Sequence, residues 1–91
     1  MIHTTFRELT YMNIKIQKLY NIKPCHSATV IKIDKSCPIL RRLIDIGLTK
    51  GTIVTCILRS PSGGIGAYLI RGALIAIRDR DCEFVLVKEE A

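Results

Sequence analysis

Between Ser36 and Gly47 the sequence carries its one clear helical signal, and the runs from Ala28 to Ile33 and beyond Gly51 are short and β-branched. That contrast limits the chain to a single short helix set among strands. Ile39, Leu43 and Ile46, with Leu40 and Ile44 beside them, recur at helical spacing, leaving Arg41, Arg42 and Asp45 for solvent. Ser36 is placed to cap the first turn, Pro38 fits near the first helical position, and Gly47 can take the left-handed conformation that ends a helix.

Around it the period is two. Ala28–Ile33 reads as a strand, with Ala28, Val30 and Lys32 on one face and Thr29, Ile31 and Ile33 on the other. Thr52–Arg59 is a near-continuous β-branched strand after a turn at Gly51. Ser60-Pro61-Ser62-Gly63-Gly64 forces a loop, and strands over residues 67–70 and 73–78 form a hairpin with Gly72 at its turn. Asp79–Cys82 reads as a polar corner before a last strand, Phe84–Val87, and Lys88–Ala91 as a soluble end. Ile14–Ile22 opens the domain as a short strand or turn ahead of Pro24. About five short strands would leave costly edges unless the sheet curls and closes, so the expectation is a mainly β fold, a small barrel with one inserted helix.

At 91 residues there is room for one domain. Met1–Asn13 alternates weakly and reads as a flexible extension, with the domain over residues 14–91. The longest run without charge, Ser60–Ile70, contains Pro61, Gly63, Gly64 and Gly66 and falls short of the ~20 apolar residues of a spanning helix. Nothing at the start resembles a signal peptide, so a cytoplasmic location is expected, with peripheral association at the inner face of the membrane at most and no insertion.

Candidate chemistry is sparse. Cys25, Cys37, Cys56 and Cys82 stand 12, 19 and 26 residues apart with no Cys-x-x-Cys pair, which is poor spacing for a metal site and reads as reduced, mostly buried thiols. The two histidines are His3 and His26, and His26 adjoins Cys25, where neighbouring side chains on a strand point to opposite faces. Gly63-Gly64-Ile65-Gly66 lacks the Lys-Ser/Thr of a phosphate loop and opens a strand. No catalytic constellation is present, and an enzyme is not expected. The net charge of +6 lies wholly in residues 1–50, with nine Lys/Arg against three Asp/Glu. That balance suits an acidic protein, an anionic surface or nucleic acid. The five Phe and Tyr side chains are not interleaved with basic residues as a base-stacking surface requires, so nucleic acid is the weaker reading.

Four motifs in order carry a family resemblance over roughly Ile16–Val87: Leu19-Tyr20-Asn21-Ile22-Lys23-Pro24, Leu40–Leu48 with Gly51 downstream, Ser60-Pro61-Ser62-Gly63, and Ile70-Arg71-Gly72 followed by Leu74–Arg78. In this arrangement the chain resembles the FeoA family. The resemblance implies a small SH3-like β-barrel, no catalytic role, and work alongside the FeoB membrane transporter, with its cytoplasmic GTPase domain, in bacterial ferrous iron uptake. It also implies no resident cofactor or metal site, with Fe(II) held only transiently if at all, and it allows weak self-association. A related domain ends some metal-dependent repressors, so a role in metal regulation is the alternative. The surface expected to meet a partner comprises Arg41 and Arg42 on the helix, Pro61, Gly63 and Gly64 in the loop, and Tyr68 as an aromatic anchor. Arg71 and Arg78 read as braces for Asp79 or Asp81. Cys25 stands where the family has a turn glycine, Lys50 replaces a common proline, and Gly64-Ile65 replaces an Asp-Pro.

Overall fold

The structure, a computed structural model, describes residues 14–90, and the extension expected over residues 1–13 lies outside them. Six strands form one antiparallel sheet: β1 (Ile14–Lys18), β2 (Ser27–Ile33), β3 (Ile53–Arg59), β4 (Ile65–Ile70), β5 (Ala73–Arg78) and β6 (Val85–Glu90). A 3-10 turn (Leu19–Asn21) follows β1, helix α1 (Leu40–Asp45) lies between β2 and β3, and a four-residue helix α2 (Asp79–Cys82) follows β5. The lateral order is β1-β6-β2-β3-β4-β5. The count is six because Ile14–Lys18, expected as strand or turn, pairs along its whole length with β6, whose ladder reaches Glu90. Lys88–Glu90 therefore belong to the sheet, and the polar corner at Asp79 is helical.

One face of the sheet supplies a single core. Val30, Val54, Tyr68, Ile70, Val85 and Val87 come from the strands, with Leu19, Leu43 and Leu48 from the connections. A single sheet that surrounds one core must curl about it. Two bulges decide what enters. Strict alternation would place Lys32 beside Ala28 and Val30, but the register with β6 shifts between Val30 and Lys32, and Lys32 is exposed. A second shift, between Cys56 and Leu58, turns Leu58 out to 54% exposure.

Helix α1 is shorter than its periodicity suggests, and Ser36 does not cap it. Ser36 instead gives its N–H and hydroxyl to Asp34 Oδ1 at 2.8 and 2.6 Å, a nearer acceptor than any helical turn, and Ile39 is the uncapped first residue. Those two bonds hold the Asp34 carboxyl below its ordinary pKa. The C-terminal end is as expected. Gly47 has φ +94°, Gly47 N–H donates to Ile44 O (2.9 Å) and Leu48 N–H to Leu43 O (2.9 Å), which together make a Schellman stop.

The ladder does not close between β1 and β5 among the described residues. A side chain draws the two ends together. Arg59, at the end of β3, donates from Nη1 to Tyr20 O just past β1 (2.6 Å) and from Nη2 to Asp79 Oδ2 just past β5 (2.7 Å).

Candidate docking surface

A groove of about 780 Å3 lies between α1 and β5. Its floor is apolar, built from Ile39 and Ile46 of the helical segment, Ile75 and Ile77 of β5, and Phe84. The floor follows from alternation, since Ile75 and Ile77 turn inward on β5 while Leu74, Ala76 and Arg78 face out. Arg42, Arg78 and Arg80 stand on the rim with Asp81 and Glu83. Glu83 is engaged by Lys18 at 3.6 Å.

Arg41 and Arg42 are exposed, as expected, and Arg42 borders the groove. Pro61, Gly63 and Gly64 are exposed on the β3–β4 loop, where Gly63 and Gly64 adopt φ +82° and +90°, angles an L side chain resists. Ile65, the next residue, lines the far end of the same groove. Of the residues expected to meet a partner, Arg42 alone lines this groove.

Tyr68 is not part of it. Its ring is fully buried, under Gly66, where a Cβ would stand 3.0 Å from the phenolic oxygen. The phenol accepts a 3.0 Å hydrogen bond from Arg59 Nη1, so it serves as an internal strut and not as an anchor for a partner. Burial, reinforced by neighbouring Cys82, raises the Tyr68 pKa well above the usual phenol value. Burial also pushes the Cys82 thiol up to about 12, against the Tyr68 hydrogen bond that lowers it and with Asp79 adding to the rise. Burial works against the charge of Arg59, but Tyr68 and Asp79 outweigh it and raise its pKa. Asp79 also accepts from Gly64 N–H at 3.3 Å and its backbone N–H donates to Gly64 O at 2.8 Å, tying the loop to α2. Its second carboxylate oxygen is buried without a partner.

The other arginines are rearranged as well. Among the described residues Arg71 braces no carboxylate. Its Nε donates to Gly47 O (2.9 Å) and its Nη2 to the Thr52 hydroxyl (3.1 Å), which itself donates to Gly47 O (2.9 Å). A Cβ at Gly47 would lie 2.4 Å from Arg71 Cδ, so another residue there would displace the Arg71 side chain as well as strain the φ of +94°. The carboxylate partner that Arg71 or Arg78 was expected to hold goes to Arg59 instead. Sequence reasoning missed Arg80, Ile75 and Phe84 as surface; the alternation Arg78-Asp79-Arg80-Asp81 is the signal that was available.

Cys37, Cys56 and Cys82 are buried free thiols, and burial raises the Cys56 pKa; Cys25 is exposed, with φ +71° where the family has a glycine. Among the described residues no three His, Cys, Asp or Glu side chains converge to hold a metal ion. No helix of the described residues is long and apolar enough to cross a membrane.

A family model describing the FeoA domain matches residues 17–89. The chain belongs to the FeoA family. The solution structure of FeoA from Chlorobium tepidum superposes with a TM-score of 0.75 at 27% identity, over 82% of this chain and 71% of that one. Stenotrophomonas maltophilia FeoA complexed with zinc, described as a prokaryotic SH3 domain protein, gives 0.71 at 23% identity, over 81% of this chain and 96% of that one. A manganese-dependent transcriptional repressor shares the fold alone, with a TM-score of 0.73 at 19% identity over 81% of this chain and 41% of its own. No curated protein matches this chain in sequence. The mainly β, SH3-like barrel is therefore the fold of this FeoA domain, and family membership supports an accessory role in iron transport.

Proposed function

We propose that this FeoA-domain protein is a non-enzymatic accessory protein of bacterial ferrous iron uptake, acting on the cytoplasmic side of a FeoB-type transporter to support or regulate Fe(II) transport. The family match over residues 17–89 carries the reading. The groove bordered by the exposed Arg42 of α1, with Arg78 and Arg80, supplies a surface for contact with a larger protein. Fe(II) is the transporter's cargo here, and the reading assigns this chain no resident ion. Tyr68 and Cys82 are buried inside the fold, and Tyr68 and Asp79 are joined through Arg59.

The test is genetic and biochemical together. A strain lacking this chain should grow poorly on limiting ferrous iron and recover when it is restored, and the tagged protein should co-purify with the transporter from solubilised membranes. Unimpaired growth, together with retention on nucleic acid that falls steeply as salt is added, would instead favour a nucleic-acid-binding barrel.

A further inference from the structure

Strand β5 is an edge, and its hydrogen-bonding pattern can be read from its register. Residues 65–70 of β4 pair with 78–73 of β5, and the same register continues to a backbone bond from Asp79 N–H to Gly64 O (2.8 Å). In an antiparallel ladder bonded and non-bonded pairs alternate, so Ala73, Ile75 and Ile77 direct their N–H and C=O toward β4. Leu74, Ala76 and Arg78 direct theirs away from it, toward the side where no described strand lies.

The surroundings of that edge are specific. Ile75 and Ile77 belong to the floor of the groove, so any strand laid along β5 would turn every second side chain toward Ile39, Ile46 and Phe84. Its other side chains would lie beside Leu74, which is 59% exposed, and Ala76. On the rim the side chains of Arg42, Arg78 and Arg80 are exposed and make no hydrogen bond or ion pair with another described residue, and of the two acidic residues beside them Glu83 is already engaged by Lys18, which leaves Asp81. A second copy of a chain of net charge +6 brings like charge to that rim, whereas an acidic segment is attracted to it.

We propose that the β5 edge and the adjoining groove bind an extended segment of a partner protein by strand addition, the segment alternating apolar residues, which fill the groove, with acidic residues that meet Arg42, Arg78 and Arg80. It rests on the accessory reading above only in taking the transporter as the source of that segment.

The probe is a labelled, end-capped peptide alternating valine with glutamate, titrated against the full chain at low salt. Binding should protect the amides of Leu74, Ala76 and Arg78 from hydrogen exchange. Ala76→Pro, which removes an N–H that β4 does not use, should weaken binding at least tenfold. Arg42→Glu combined with Arg80→Glu, both on exposed side chains, should do the same in a chain whose fold is untouched. Equal binding by a valine–lysine peptide, or unchanged exchange at those three amides, overturns the proposal. So does protection that rises with protein concentration alone, which would assign the edge to a second copy. If the peptide binds as described and no transporter co-purifies, the accessory reading fails and the edge site stands. If transporter capture is equal for wild type and both variants, the accessory reading stands and this site falls.

Discussion

The two edges of the sheet are built from different material. β1 is five residues long, two of them lysine, and its Gln17 is tied to Glu89 of β6 at 2.9 Å. β5 reads Ala-Leu-Ile-Ala-Ile-Arg, with one charge at its end and no proline. Lysines on an edge strand discourage pairing with other chains, and β5 lacks that protection. Behind the edges the contrast repeats, because beneath the β4–β5 side lie Tyr68 and Cys82, fully buried, while the β1 side is braced near the surface by the 2.6 Å contact between His26 Nδ1 and Glu89 Oε2. One edge is closed by composition, and the other is left available above a tightly determined interior.

Alkali is the strongest way to separate the two sides. Cys82 must stay neutral in the fold, with its pKa pushed up to about 12 from 9.0 by burial, so the unfolded chain loses its proton first. The stability it contributes is complete below pH 9 and drains away as pH rises toward 12. The raised Tyr68 adds to the fall in the same direction. Urea unfolding across that range should show the slope, hydrogen exchange should place the first loosening at β4 and β5, and Cys82→Ala should flatten the curve.

Arg59→Ala should weaken both sides at once. It removes three hydrogen bonds, to Tyr20 O, Tyr68 and Asp79, and strips the partner from a half-buried carboxylate; a loss of about 2–3 kcal/mol is expected. Faster exchange confined to one edge would show that Arg59 does not join the two.

A smaller pair of substitutions sharpens the same contrast. Among the described residues Cys25, whose N–H bonds to Cys56 O of β3, and Arg71, at the β4–β5 turn, are the non-glycine residues with positive φ, at +71° and +49°. Cys25 has an exposed side chain, so Cys25→Gly should raise stability by about 0.5–1 kcal/mol by relieving the left-handed strain. Arg71→Gly relieves the same kind of strain but forfeits the bonds to Gly47 O and Thr52, and should lower stability by about 1 kcal/mol. Denaturant midpoints of the two variants should therefore move in opposite directions.

Least in stability, and most direct for docking, are Ile16→Lys and Leu74→Lys, at positions 63% and 59% exposed. Each should change stability by no more than about 0.5 kcal/mol. Capture of the partner should survive the first and fall in the second.

What the sequence disclosed was mostly local. Gly47, Gly51 and Gly72 fall where positive φ is needed, at +94°, +90° and +84°, because turns are set by a few adjacent residues. The strands were legible from β-branched runs to within a residue or two except at the last, where the charged Lys88–Glu90 continue the strand that was expected to end at Val87. Ser36 misled because Asp34, two residues back, competes for it. Tyr68 misled because alternation cannot say how deep an aromatic ring will sit; Gly66 and the hydrogen bond from Arg59 decide that, and both act through the folded sheet. The helix arginines and loop glycines were legible as exposed positions. That Arg42, Ile75 and Arg78 share one groove was not, since it depends on which strand ends the sheet, and the order β1-β6-β2-β3-β4-β5 is a property of long-range pairing.

That order bears on how the chain matures. β6, last of the six strands in sequence, lies between β1 and β2 and is hydrogen-bonded to both. A nascent chain emerging from the ribosome can form the β3–β4–β5 meander early, but its first strand has no neighbour to pair with until residues 85–90 have been synthesised and released. Folding of this domain is thus completed only after translation has passed its final strand, and until then the apolar face of β2, with Ala28 and Val30, is one a chaperone would need to shield.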